Sequence, residues 1–352
     1  MKITASAPAK AILFGEHSVN RGQRALAVSI GLRVQCTVNT NAITFVFESD
    51  NHLQTCTRSE LIQLNQQVDH WQAAQDYAAI CQMALSDYFA PAKYIIAKVF
   101  GDALPNGLHC CWQSDIPSAG GLGSGGASFV ALATALVHAQ TPAHTSANNP
   151  TTLHERIRAF AYLGDIIAHG GVASGLDTST CTLGGVIGYS KSNDGSDIAL
   201  PIPSHPDLSL VIGNTRQRGQ TSEVNTRVRH WLAEDATRMH YFTMIGMLSN
   251  TAPNALAHGI WPTLGTLMNL NQLILEKIGV STPAIEALNR AALAAGAYGA
   301  KLSGSGGGGI MLALVSPNTK QAVAQAIVAA GGEALLPEVA TEGAKIENDS
   351  EN

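Results

Sequence analysis

The chain has 352 residues, 45% of them apolar and 13% charged, with a formal net charge of −5. That length points to two domains rather than one. The mild negative charge, with no Lys/Arg block, argues against a nucleic-acid or anionic-membrane surface, and no stretch approaches the ~20 apolar residues of a bilayer span.

In chain order, the start reads as strands. Short apolar and β-branched runs cover 11–14, 25–30, 34–38 and 43–47, and no signal-peptide h-region precedes them. Residues 58–100 have helical period, interrupted by Pro91. Leu108 to Trp112 reads as a buried strand feeding a glycine run, Pro117 to Gly126, and Ala127 to Ala139 follows at helical length. Thr151, ahead of Glu155, fits the start of a helix running to about Ala168. A loop with Ser174, Gly175 and Asp177 comes next, then a strand from Gly185 to Tyr189. Ser192 to Ser196 and Pro201 to Pro206 are turn-rich and suggest a domain boundary near residue 200. The second half begins with a strand, Leu208 to Ile212, and continues with helices to about residue 295. A second glycine run, Ser303 to Gly309, leads into a strand, Ile310 to Val315, and a last helix at about 318–330. Beyond Leu336 the chain is polar and acidic and is expected to fray. Cys36, Cys56, Cys81, Cys110, Cys111 and Cys181 form no CxxC and read as buried free thiols of a reducing cytosol.

The segment 117–127 lies between a predicted strand and a predicted helix. Glycines there let several backbone N–H groups approach an anion, and the helix start adds its unpaired N–H groups and positive dipole end. The spacing is neither GxGxxG nor GxxxxGK[ST]. A tightly packed glycine turn is the plain alternative. The second run, Lys301 to Gly309, also abuts a strand and favours the phosphate reading.

Three segments resemble, in order, the signature motifs of the GHMP kinases: Ala7 to Val19 (APAKAILFGEHSV), the 117–127 loop (similar to PxxxGLGSSAA) and Lys301 to Gly309 (similar to KxTGAGGGG). The resemblance implies an α+β, two-domain GHMP kinase fold. An amino-terminal domain like ribosomal protein S5 domain 2 (1–200) would precede a ferredoxin-like domain (201–336) and a polar tail (337–352). It implies ATP and Mg²⁺, with phosphate contacts from Pro117, Gly120, Gly121, Leu122, Gly123, Ser124, Gly125, Gly126, Ala127, Ser303, Gly304 and Gly306. Within the family, the GEH segment, His169 to Asp177 (similar to HGxPSGxD), the 215–228 segment (similar to STxxxV), Met268 to Gln272 and Gly296 to Lys301 look like the compact members that phosphorylate mevalonate.

By that resemblance Asp177 is the candidate base and Lys10 its cationic partner, since phosphoryl transfer needs a positioned hydroxyl, neutralised phosphate charge and a proton path. Glu16, His17, Ser174 and Thr221 would join them at the acceptor, His17 donating to a carboxylate or hydroxyl. The plain readings are a surface Lys, a turn Asp, a core His and an N-capping Thr; Arg216, Arg218 and Arg227 read as solvated charges. Ser124 and Asp165 are the candidate magnesium ligands. Both sites depart from the motif: Gly125 replaces its second Ser, and Asp165 a Glu, while one extra residue separates His169 from Ser174. A sugar, phosphomevalonate or homoserine kinase, or a non-catalytic metabolite sensor of the same fold, remains open at this stage. A homodimer is expected by family analogy only, and a cytoplasmic location from the free thiols.

Overall fold

A computed structural model describes the chain except residues 51, 118–120, 141–151, 192–196, 218, 220 and 348–352. The expected Thr151 helix start, the 192–196 turn, Arg218 and Gly120 lie outside the described residues.

The first layer is a sheet of β1 (Lys2–Phe14), β2 (Ala25–Asn39), β3 (Phe45–Ser49) and β4 (His52–Cys56), then the helices α1 (Arg58–Ala73), α2 (Tyr77–Ser86) and α3 (Ala90–Phe100), then β5 (Leu108–Ser114). Helices α4 (Ser124–Gln140), α5 (Leu153–Ala168) and α6 (Leu176–Leu183) follow, and then strands β6 (Val186–Lys191) and β7 (Asp197–Ile202). β8 (Leu210–Asn214) opens the second layer. It continues through α7 (Thr221–Glu234), α8 (Met239–His258), α9 (Trp261–Ile278), α10 (Pro283–Ala294), β9 (Gly299–Ser303), β10 (Ile310–Leu314), α11 (Lys320–Ala329) and β11 (Glu333–Leu335), and the chain ends with β12 (Lys345–Glu347).

The strands of the first sheet run β12-β1-β2-β5-β3-β4, with β6 and β7 branching from the first half of β2. The second sheet runs β11-β8-β10-β9, antiparallel throughout. Renumbered within its half this is the order 4-1-3-2, the expected ferredoxin-like arrangement. Both sheets bury apolar strands: every residue of β9 and β10 is buried. Helix α4 is built of small residues that allow close packing on β1 and β2, and its Val130–Val137 stretch is wholly buried. Helix α5 starts at a capping box in which Thr152 accepts from Glu155 N–H and the Glu155 carboxylate accepts from Thr152 N–H.

Five expectations change. Pro91 does not interrupt a helix; it sits in the first turn of α3, where its missing N–H costs nothing. The two strands expected at 25–38 are one: Gly31 and Leu32 form a bulge in the pairing with β1, and Gly31 N–H donates instead to the Glu338 carbonyl (2.9 Å). The described part of the polar end, through Glu347, is ordered: β12 pairs antiparallel with β1, while Ala340 N–H donates to the Ser29 carbonyl and the Ala340 carbonyl accepts from Gly185 N–H. Backbone pairing holds that segment where its composition gives no apolar signal. Pro201 lies within a strand, tolerated because β7 is an edge strand paired only with β6. Of the six cysteines, Cys81 is exposed and Cys111 half-buried; the other four are buried, and all are free.

Candidate active site

Between the two sheets lies a cavity of about 460 Å³, lined by residues from all three glycine-bearing motifs. Its floor is an ion pair. Lys10, on β1, reaches Asp177 with Nζ to Oδ1 at 3.0 Å, and Lys10 is nearly inaccessible while Asp177 keeps 23% of its side chain exposed. Asp177 is not on the loop expected from the sequence; Gly175, at φ +83°, ends that loop, and Asp177 stands in the first turn of α6. The helix start favours a carboxylate there.

The first glycine run fits over this pair. Lys10 N–H donates to the Leu122 carbonyl (2.9 Å), and a Cβ on Gly123 (φ +74°) would come 2.8 Å from the Lys10 Cγ and Cε atoms. A Cβ on Gly126 would stand 3.0 Å from Asp177 Cβ. Glycine is thus required where the loop crosses the ion pair. The first turn of α4, Ser124 to Gly126, presents N–H groups that the helix itself does not use. Gly121, Gly123, Ser124, Gly125 and Gly126 line the cavity. Leu122 and Ala127 do not: both are core residues, and Ala127 N–H is bonded to the Gly123 carbonyl. Pro117 also lies off the lining.

The second run faces the first, and a Cβ on Gly304 would stand 3.8 Å from the Gly121 carbonyl oxygen; Ser303, Gly304 and Gly306 all line the cavity. A Cβ on Gly306 would fall 2.2 Å from the Val280 carbonyl, so this loop is seated against the end of α9. The Ser303 hydroxyl accepts from Ile12 N–H (2.8 Å), which ties the loop to β1.

On the acceptor side, Glu16 is fully buried and ion-paired with Lys301 of β9. His17 holds a left-handed backbone (φ 59°), and Arg21 secures it by donating to the His17 carbonyl while lying 4.1 Å over the Phe242 ring. Burial lowers the His17 pKa to about 4; the bond to Ser305 opposes this, and the charges of Arg21 and Arg227 add to it. The ring is therefore neutral at pH 7. His17 Nε2 lies 2.8 Å from the Ser305 carbonyl, which can only accept, so Nε2 carries the proton and Nδ1 is left as an acceptor. This corrects the expectation that His17 donates to the acceptor. Because the folded pKa lies below that of the unfolded chain, the unfolded state binds more protons between pH 6.5 and 4. Stability carried by neutral His17 is complete above pH 6.5 and is lost as pH falls toward 4, by up to about 3 kcal/mol. Urea midpoints at pH 7.5 and 4.5 check this: His17→Asn, which tolerates the left-handed backbone, should lose less stability than the native chain. An equal loss in both would remove His17 from the acid response.

Ser174 lines the cavity in the turn before α6, its Oγ accepting from Leu176 N–H (3.2 Å), while its carbonyl accepts from Tyr189. Thr221 opens α7 and its hydroxyl meets that of Ser305 at 3.1 Å. Arg227 is not simply solvated: it donates to the Gly279 carbonyl at the end of α9. Sequence reasoning missed Ser305 and the partnership of Lys301 with Glu16. Met268 to Gln272 is structural, since Gln272 Oε1 accepts from Leu302 N–H and holds β9 in place.

Asp165, at the end of α5, is buried, and both it and Ser124 line the cavity. The Asp165 Oδ1 lies 3.1 Å from His169 Nδ1 as an ion pair, and the same nitrogen meets the Asp165 carbonyl at 2.9 Å. Burial works against charge on His169, but the hydrogen bond and charge of Asp165, aided by Asp177, outweigh it and raise its pKa to about 9. A buried carboxylate on the cavity wall is a donor of the kind a hard cation takes. Among the described residues no three His, Cys, Asp or Glu cluster as a metal cage, so Mg²⁺ held here would complete its shell from phosphate and water. Gly125 leaves the neighbouring position open, a Cβ there meeting only Phe129 at 3.8 Å.

Among the described residues, no helix is long and apolar enough to cross a membrane. Residues 88–185 match the GHMP kinases N terminal domain and residues 254–333 the GHMP kinases C terminal family. The chain is 32% identical over 99% of both chains to the mevalonate kinase of Thermococcus gammatolerans, and equally to that of Pyrococcus furiosus over the same shares. Its fold is similar to that of L. major mevalonate kinase solved with R-mevalonate, with a TM-score of 0.69, 24% identity and coverage of 95% and 96% of the two chains. Matching domains in both halves, full-length relatives and the two facing glycine loops agree: the chain belongs to the GHMP kinases.

Proposed function

We propose that this chain is a mevalonate kinase, transferring the γ-phosphoryl group of ATP to the 5-hydroxyl of mevalonate and so supplying an isoprenoid precursor. The observation that carries the transfer chemistry is the Lys10–Asp177 pair, 3.0 Å apart beneath the first glycine loop and opening on the cavity. The acceptor assignment rests on the full-length relatives of that name.

In this reading residues 1–200 and 201–336 form two domains with both substrates between them. The Gly121–Gly126 backbone and the Ser303–Gly306 loop receive the phosphates from opposite sides. Asp177 faces the acceptor hydroxyl and takes its proton as the new oxygen–phosphorus bond forms and the bond from the γ-phosphorus to the bridging oxygen breaks, releasing ADP. Lys10 keeps Asp177 ionised and stabilises charge developing on the transferred group. His17 Nδ1 accepts from an acceptor hydroxyl, and Glu16 holds that segment in place. Asp165 and Ser124 would hold Mg²⁺, which when bound neutralises phosphate charge. A homodimer, by family analogy, and a cytoplasmic location, from the free thiols, are part of the proposal.

A coupled ADP-release assay over mevalonate, phosphomevalonate, galactose and homoserine tests the assignment. Mevalonate should give the highest kcat/KM by at least tenfold. A higher value for any other acceptor overturns it.

A further inference from the structure

His17, the residue the GEH segment offers for recognising an anionic hydroxy acid, has no N–H to give: its one proton is bonded to the Ser305 carbonyl at 2.8 Å. Donors for an acceptor carboxylate must come from elsewhere on the same wall. Two hydroxyls stand there. Ser305 Oγ and Thr221 Oγ1 are 3.1 Å apart, both residues line the cavity, and neither side chain is buried away from it. One hydroxyl proton closes the bond between them, so the other O–H remains free to donate.

Ser305 is also one of two residues, with Ser303, by which this segment departs from the motif it resembles, KxTGAGGGG; alanine stands at the Ser305 position. Its position is fixed. Gly304 (φ +94°) and Gly306 (φ +77°) flank it, and Gly306 is pressed on the Val280 carbonyl. The positive charges of Arg21 and Arg227 act on His17, on this same wall.

We propose that Ser305, paired with Thr221, donates a hydrogen bond to the carboxylate of the acceptor, which makes it a specificity-determining residue for an anionic substrate. The inference rests on the acceptor reading above. It assigns the Ser305 side chain to the acceptor, although the loop carrying it flanks the phosphates.

The test compares mevalonate with its uncharged counterpart 3-methylpentane-1,3,5-triol in the native chain and in Ser305→Ala, which keeps the backbone carbonyl that orients His17. A hydrogen bond to a charged group predicts a rise of about tenfold in KM for mevalonate. The triol KM, the ATP KM and kcat should stay within about twofold. Equal rises for mevalonate and the triol, or a rise for ATP alone, would overturn the assignment. If the native chain turns over mevalonate and the Ser305→Ala ratio does not move, only Ser305 is wrong. If the native chain uses another acceptor and not mevalonate, the acceptor reading fails and this inference with it.

Discussion

Asp177→Asn is expected to lower kcat by about 10²–10⁴-fold, the range a positioned general base contributes, while ATP binding stays near native. The substitution keeps size and shape, so the start of α6 and the contact beneath Gly126 survive. It removes the charge that pairs with Lys10 across 3.0 Å. Losing one partner of a fully buried pair costs about 3–5 kcal/mol. Here the cost is smaller, because Asp177 is partly exposed and the amide oxygen still accepts from Lys10. The catalytic effect therefore exceeds the stability effect, and the two separate cleanly: single-turnover rate against ATP titration by fluorescence or calorimetry. Near-native turnover would remove Asp177 from the mechanism. A parallel loss of ATP affinity would instead place its main role in the nucleotide site.

Much of this site was legible because its chemistry is local in sequence. A glycine run between a strand and a helix reports its own phosphate chemistry, and the helix that ends at Ala168 lies where its period placed it. Strand ends were harder. β2 reads as two segments because Gly31 and Arg33 look like a break, yet Arg33 donates to the Gly343 carbonyl and Gly31 to that of Glu338. Those partners lie some three hundred residues away, and nothing local announces them. The same holds for the carboxy-terminal strand, a polar segment ordered by backbone pairing with β1. His17 was recognisable as a site residue, but its role as an acceptor was not. That depends on which atom faces Nε2, and the answer is a carbonyl 288 residues downstream.

The largest stability effect is expected where such long-range pairing is also charged. Glu16, just after β1, and Lys301, in β9, are 285 residues apart and meet with no exposure on either side, joining the first sheet to the second. Burial raises the Glu16 pKa, with Lys301 and then Lys10 acting against it; burial likewise lowers that of Lys301 against the pull of Glu16. Each group is tolerable only beside the other. Lys301 also donates to the Leu302 carbonyl, whereas Glu16 Oε2 has no partner at all. Lys301→Met should therefore destabilise by about 3–5 kcal/mol, because it leaves the carboxyl group buried with neither of its oxygens bonded to a cation. Adding Glu16→Leu removes that stranded group, and the double variant should recover more than about 2 kcal/mol of the loss, since an apolar pair of similar volume often replaces a buried ion pair at little cost. Urea denaturation of the native chain, both single variants and the double variant closes the cycle. If the two single losses simply add, the pair contributes no coupling. The recovered double variant should nonetheless bind the acceptor poorly, because Glu16 is the residue that anchors His17 and the turn behind it to β9.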